Sequence, residues 1–140
     1  MVKRFMIRLV SAAHRTVYRI SRGTIGTSVF GGPILLLTTV GSRSGRPRTV
    51  PLLYLEDGSD LILVGSYGGS HQHPSWWLNL RKNPAATVRV GRQERPVRGR
   101  KANEEERDRL WPLVVDLYPP YQEYQRRTHR RIPVVILEPQ

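Results

Sequence analysis

The sequence predicts a mainly β, α+β fold: an antiparallel barrel, closed or half open, with helices at its ends. Three observations carry that expectation. The 140 residues amount to one domain. Periodicities along the chain run helix, three strands, short helix, two strands, helix, strand. No segment repeats, and no low-complexity tail extends the core.

The elements follow in order. Over residues 2–20, Val2, Phe5, Met6, Leu9, Val10, Ala13, Val17 and Ile20 share one helical stripe, and Arg4, Arg8, Arg15 and Arg19 gather opposite. This basic amphipathic helix is assigned to residues 1–22, a Gly-rich linker to 23–33 and the barrel domain to 34–140. The stripe either covers the barrel or lies in a membrane interface with its arginines on anionic headgroups. No acidic residue precedes Glu56, which keeps the second reading open. Ile34–Val40 is a continuous apolar run. Thr49–Leu55 and Asp60–Tyr67 read as a hairpin about Glu56-Asp57-Gly58-Ser59. Pro74 opens a short helix, Ser75–Arg81, which Asn83-Pro84 stops. Ala86–Val90 and Glu94–Lys101 are strands joined at Gly91-Arg92. Asn103 is an N-cap for a helix beginning Glu104-Glu105-Glu106, whose carboxylates suit the positive helix end. Pro112 kinks that helix or shifts its start, Pro119-Pro120 ends it, and Ile132–Leu137 is the last strand.

Composition bounds the function. There are 23 Lys and Arg against 11 Asp and Glu, a formal net charge of +12. Such an excess favours an anionic partner without naming it: nucleic acid, lipid, or a phosphorylated or polycarboxylated cofactor. With no cysteine, disulfides, thiolate nucleophiles and cysteine metal sites are excluded. No run reaches the ~18 apolar residues of a spanning helix, and residues 1–20 lack the clean apolar region of a secretory signal. A cytoplasmic protein is expected, with peripheral contact at the inner membrane face as the open addition.

Four segments can carry chemistry. Gly41-Ser42-Arg43-Ser44-Gly45-Arg46-Pro47-Arg48 has the composition of an anion cradle, with three arginines, two serines and no carboxylate; a solvated basic turn is the plain alternative. In Val64-Gly65-Ser66-Tyr67-Gly68-Gly69, Gly65 leaves room for a flat ring, and Ser66 offers a hydroxyl and an N–H. In Pro74-Ser75-Trp76-Trp77-Leu78-Asn79-Leu80 the adjacent indoles point about 100° apart, so only one is expected fully in the core. Asn79 is a polar group on an apolar helix and needs a partner, backbone or cofactor. Tyr118, Tyr121 and Tyr124 recur every third residue, stacking three phenols on one face, as a pocket wall or as packing. His71 and His73 are two ligands without a third, so no metal site is assigned.

Together these segments resemble the deazaflavin-dependent nitroreductase family, the split β-barrel quinone and nitro reductases of actinobacteria. The likeness rests on Leu35-Leu36-Leu37-Thr38-Thr39-Val40-Gly41, Gly45-x-Pro47-Arg48-x-x-Pro51-Leu52-Leu53-Tyr54, Ser66-Tyr67-Gly68-Gly69 and Pro74-x-Trp76-x-Leu78-Asn79-Leu80. It continues through Asn83-Pro84, Tyr118-Pro119-x-Tyr121-Gln122-x-Tyr124-Gln125 and Arg131-Ile132-Pro133-Val134. The resemblance implies a split β-barrel binding coenzyme F420, whose polyglutamyl phospholactyl tail is strongly anionic. Ser42, Arg43, Ser44 and Arg48 would meet that tail. Thr49, Val50, Pro51, Leu52 and Leu53 would run beside the deazaflavin, and Val64, Gly65, Ser66, Tyr67, Ser75, Trp76, Trp77, Leu78 and Asn79 would complete its walls. Family members often carry a lysine beside the loop arginine. Serine at 42 and 44 departs from that pattern and bears on tail affinity and length preference.

The implied reaction is hydride transfer from the reduced deazaflavin to a small acceptor, a quinone or a nitro compound. Tyr121 would donate to the acceptor oxygen with Ser66 as a second donor, while Tyr118 and Tyr124 wall the pocket. The chain would act as a monomer or homodimer, with no nucleic-acid partner. Three other readings are compatible with the sequence: a split barrel binding flavin mononucleotide, a basic nucleic-acid-binding module, and a membrane-surface carrier without turnover.

Overall fold

The computed structural model describes residues 32–140; the expected N-terminal helix and nearly all of the Gly-rich linker lie outside the described residues. Seven strands form one curled antiparallel sheet: β1 (Ile34–Val40), β2 (Pro47–Leu53), β3 (Leu55–Asp57), β4 (Asp60–Val64), β5 (Ala85–Val90), β6 (Gln93–Lys101) and β7 (Val134–Pro139). Their spatial order is β2-β1-β5-β6-β7-β4-β3. Three helices accompany them: α1 (Ser75–Lys82), α2 (Glu104–Leu117) and α3 (Pro120–Arg126), with a 3₁₀ turn at Tyr67–Gly69. The result is a split-barrel half-shell, as the sequence predicts.

Alternation along the strands divides the core between two faces. Leu35, Leu37, Leu61, Leu63, Val88, Val97, Val135 and Leu137 point inward with Tyr54, and α1 closes over them with Trp76, Trp77 and Leu80. The intervening residues Ile62, Val64, Val134 and Ile136 point outward, where Leu110 and Val114 of α2 and Tyr121 of α3 cover them. Both tryptophans are therefore buried, at 7% and 5% exposure, although only one was expected to be. The inner mouth is wide enough to receive two adjacent indole directions.

Two boundaries differ from expectation, each for a local reason. The segment before the Gly58 turn is two strands: β2 pairs along its whole length with β1, and only β3 pairs with β4, Asp57 facing Asp60. The chain changes partner at Tyr54, whose N–H donates to the Pro33 carbonyl while its ring enters the inner core. The last strand starts at Val134 because Ile132 N–H is taken by Gln125 Oε1 at 2.9 Å and Pro133 has no N–H.

Pro112 lies inside α2 and does not move its start. A capping box fixes that start: Glu106 N–H donates to Asn103 Oδ1 at 2.8 Å, and Asn103 N–H to Glu106 Oε1 at 2.9 Å. An interior proline costs roughly 3 kcal/mol. Burial of Leu110 and Val114, at 0% and 1% exposure on either side of it, offsets that cost.

Candidate active site

The β1–β2 connection closes on itself. Gly41 N–H donates to Arg46 O at 2.8 Å and Gly45 N–H to Gly41 O at 2.9 Å. A Cβ at Gly41 would come within 2.7 Å of Ser44 Oγ and 3.1 Å of Arg46 O, so a side chain there would turn the Ser44 hydroxyl away and press on the loop backbone. Asn79, on α1 and 5% exposed, ties this loop to the helix. Its Oδ1 accepts from Ser42 N–H and its Nδ2 donates to Thr39 Oγ1, both at 2.9 Å. Lys82 Nζ adds a 2.7 Å bond to Ser42 O. The partners that Asn79 requires are thus the loop backbone at Ser42 and the β1 hydroxyl of Thr39.

Loop, helix and the His71–His73 segment enclose a groove of about 820 Å³. It gathers Ser42, Arg43, Ser44, Arg48, Thr49, Val50, Ser75, Trp76, Leu78 and Asn79 from the expected set, and adds Gly41, His71, Gln72 and His73. None of its lining residues is acidic. Neither Arg43 nor Arg48 makes an ion pair among the described residues, and the Arg48 guanidinium reaches only Ser44 Oγ at 3.4 Å. The groove therefore has an unneutralised cationic rim, hydroxyl donors and one indole wall. That donor set suits a ligand that is flat at one end and polyanionic at the other.

Other expected residues lie outside the groove lining. Pro51 is buried on β2, Leu52 packs on the inner core and Leu53 on the outer apolar clusters. Val64 joins the outer core and Trp77 the inner one. Gly65 does not leave open room: a Cβ there would meet Pro133 Cγ at 2.8 Å, and Gly65 N–H donates to Pro133 O at 2.9 Å. Close packing of Pro133 takes the space a flat ring was expected to use. Ser66, 8% exposed, precedes the 3₁₀ turn, where Tyr67 sits at φ 45°. A tyrosine in that region costs roughly 1–2 kcal/mol, and the turn is held by its packing against α3.

The three tyrosines do converge, on the outer face. Tyr118 and Tyr121 lie edge-to-face with centroids 5.0 Å apart, and Tyr124 is 6.3 Å from each. The Tyr118 and Tyr124 hydroxyls are 3.4 Å apart. Burial, then the neighbouring phenols, holds Tyr121 well above the ordinary phenol range. Burial and the Tyr118 hydrogen bond push Tyr124 to about 12. Both stay protonated at neutral pH.

Sequence reasoning missed Arg130, which ties the two regions together. It donates to the carbonyls of Gly65 (3.0 Å), Ser66 (2.7 Å) and Ser70 (2.9 Å), and to His73 Nδ1 at 3.1 Å. Because guanidinium only donates, Nδ1 accepts, and the neutral ring carries its proton on Nε2. Burial, then the Arg130 charge, depresses the His73 pKa. An arginine in the run Arg126-Arg127-Thr128-His129-Arg130-Arg131 gives no sequence signal of such a role.

The model of the family described as F420H(2)-dependent quinone reductase matches residues 10–139. The chain belongs to this family. An F420H(2)-dependent quinone reductase of Mycobacterium tuberculosis strain H37Rv is 38% identical over 128 residues, covering 89% of this chain and 86% of the relative. A solved F420-H2 dependent reductase is 45% identical with a TM-score of 0.70, covering 76% of this chain and 94% of the other. A second solved structure, described as a domain-swapped dimer, is 41% identical with a TM-score of 0.72 and covers 91% and 96%. The chain is thus an F420H2-dependent oxidoreductase acting on quinones, with coenzyme F420 as its cofactor. The acid-free groove of the quinone reductase fits that anionic cofactor on the chemistry of its own donors. No helix among the described residues is long and apolar enough to cross a membrane.

Proposed function

We propose that the groove between the β1–β2 loop and α1 holds the anionic part of F420, and that the acceptor quinone meets the tyrosine side of the Ser66–His73 segment. One observation carries this reading: a groove of about 820 Å³ with unpaired Arg43 and Arg48 and no acidic lining residue. When bound, the reduced cofactor supplies a hydride. Ser42, Arg43, Ser44 and Arg48 bind phosphate and carboxylates by charge-assisted hydrogen bonds. Asn79 and Lys82 hold that loop in place. Trp76 and Val50 give the groove its apolar wall and exclude water from it.

A quinone that accepts a hydride needs one further proton to become a hydroquinone. Tyr121 Oη supports the role of donor. It makes no hydrogen bond among the described residues, and because burial disfavours its anion it acts as a hydrogen-bond donor to the acceptor oxygen, the proton that completes the hydroquinone coming from water. Tyr118 and Tyr124 orient its ring by edge contacts. The Ser66 hydroxyl is the second candidate donor, on a backbone that Arg130 fixes. Nitroaromatics present the same need for a hydride and an oxygen-directed donor.

The relative solved as a domain-swapped dimer supports a homodimer among the assemblies the sequence leaves open, which sizing by light scattering would decide. The basic stripe at Arg4, Arg8, Arg15 and Arg19 supports peripheral binding to anionic lipid. Deleting residues 2–20 should then release the protein from anionic liposomes.

The deciding experiment titrates the protein with reduced F420, then adds menadione and follows cofactor oxidation. Tyr121→Phe should lower turnover on the order of 10²-fold with cofactor affinity nearly unchanged. Equal loss of both would remove Tyr121 from the acceptor side.

A further inference from the structure

A second cleft, of about 360 Å³, shares His73 with the main groove and is otherwise lined by Trp77, Arg81, Lys101, Arg131 and Pro133. Its residues arrive from three elements: Trp77 and Arg81 from α1, Lys101 from the end of β6, and Arg131 and Pro133 from the segment leading into β7. None is acidic. Arg131 is held by Glu104, at the start of α2, at 2.6 Å. Arg81 and Lys101 have no carboxylate partner among the described residues. The Arg81 guanidinium instead sits 5.9 Å from the Trp77 ring centroid.

These cations converge rather than disperse. After burial and Arg130, the charges that disfavour a proton on His73 are those of Arg81 and Lys101. Positive groups drawn to one cleft without a counter-charge repel each other, and an anion seated among them relieves that cost. The arginines at 100, 109, 126 and 127 each lie against a carboxylate, 126 and 127 sharing Glu123, whereas those at 43, 46, 48, 92, 95 and 98, like Arg81, have none among the described residues; what sets Arg81 and Lys101 apart is that they meet in one cleft. His73 adds a neutral donor: with Nδ1 engaged by Arg130, its remaining polar atom is Nε2–H.

We propose that this cleft is an anion subsite, taking a carboxylate or phosphate group on Arg81 and Lys101, with Arg131 and the Nε2–H of His73 completing the donor set. Arg81 supplies a planar fork, Lys101 a point charge, and Trp77 a wall against which a methylene segment can lie. Two sources share this chemistry. One is a distal carboxylate of a cofactor whose anionic chain begins in the main groove and passes His73; the other is a free anion. The subsite stands on its own cleft and charges and does not depend on the reading of the main groove.

The test follows the His73 imidazole by NMR during titration of the full-length protein with inorganic phosphate, and repeats it on the Arg81→Gln, Lys101→Gln double variant. Binding of F420 with short and with long oligoglutamyl tails is measured on both proteins. In the wild type, phosphate should shift the His73 resonance and raise its pKa. In the double variant the phosphate Kd should rise on the order of tenfold, with circular dichroism and Tm unchanged. If the cofactor is the source, long-tail F420 should lose affinity in the variant while short-tail F420 does not. If the source is a free anion, both cofactor affinities hold and only the phosphate response falls. A phosphate response equal in the two proteins, together with equal cofactor affinities, overturns the proposal. Failure of the wild type to bind any F420 counts against the main-groove reading alone, because the phosphate comparison still decides this cleft.

Discussion

Asn79 spends one end of its amide on the basic loop and the other on β1, accepting from Ser42 N–H and donating to Thr39 Oγ1. Replacing it with leucine keeps the volume and strands both partners. Unmet buried polar groups cost roughly 1–3 kcal/mol. Asn79→Leu should therefore lower stability by about that amount and weaken F420 binding as the loop loosens. Denaturant unfolding beside cofactor titration checks both, and unchanged affinity would mean that the loop holds its shape without the amide. The sequence singled out Asn79 because a polar side chain on an apolar helix must find a partner. It could not choose between backbone and cofactor, since Thr39 and Ser42 lie 40 and 37 residues away. Gly65 reads in the sequence as room for a flat ring, but Pro133, from the far end of the chain, occupies that space.

At the scale of elements, the local rules were sufficient wherever the bonds are local. The capping box of α2 is the clearest case, because Asn103 and Glu106 find each other three residues apart. Asn103→Ala should cost about 1 kcal/mol, read as a shifted denaturation midpoint with an unchanged m-value; no shift would mean that the helix start is held by the Arg100–Glu106 pair alone. Local rules failed where tertiary packing overrides them. Pro112 persists inside α2 because its neighbours are buried, and Tyr54 splits one β-rich run between two partner strands.

Charge sets the pH response of the whole molecule. Hydrogen bonds from Arg100, then Asn103, hold Glu106 at about 2, below its ordinary 4.5. The unfolded chain therefore takes up that proton first, and the stabilisation present above pH 4.5 is lost as the pH falls towards 2. His73 is depressed from 6.5, so the unfolded state also binds its proton first and stability declines as the pH drops below that value. Urea unfolding at pH 8, 5.5 and 3, chosen on either side of those roughly placed transitions, should show a fall at each step. Glu106→Gln should shrink the lower one, leaving the part that Asp57 contributes through its hydrogen bonds from Arg109. A flat profile would mean that the Arg100 contact is screened by solvent.

The sequence by itself determined the fold class, the alternation of strands and helices from residue 34 onward apart from the strand split at Tyr54 and the separate helix at Pro120, the basic loop and the three-tyrosine face. Each depends on spacing within a few residues, where backbone periodicity dictates which side chains share a side. Only the tertiary structure decided which strands pair, that both tryptophans are buried, that the loop and α1 enclose a groove while the tyrosines pack on the opposite face, and that Arg130 fixes the segment between. Those outcomes join residues dozens of positions apart, and such pairings are selected by burial and by the satisfaction of backbone polar groups, which no local pattern records.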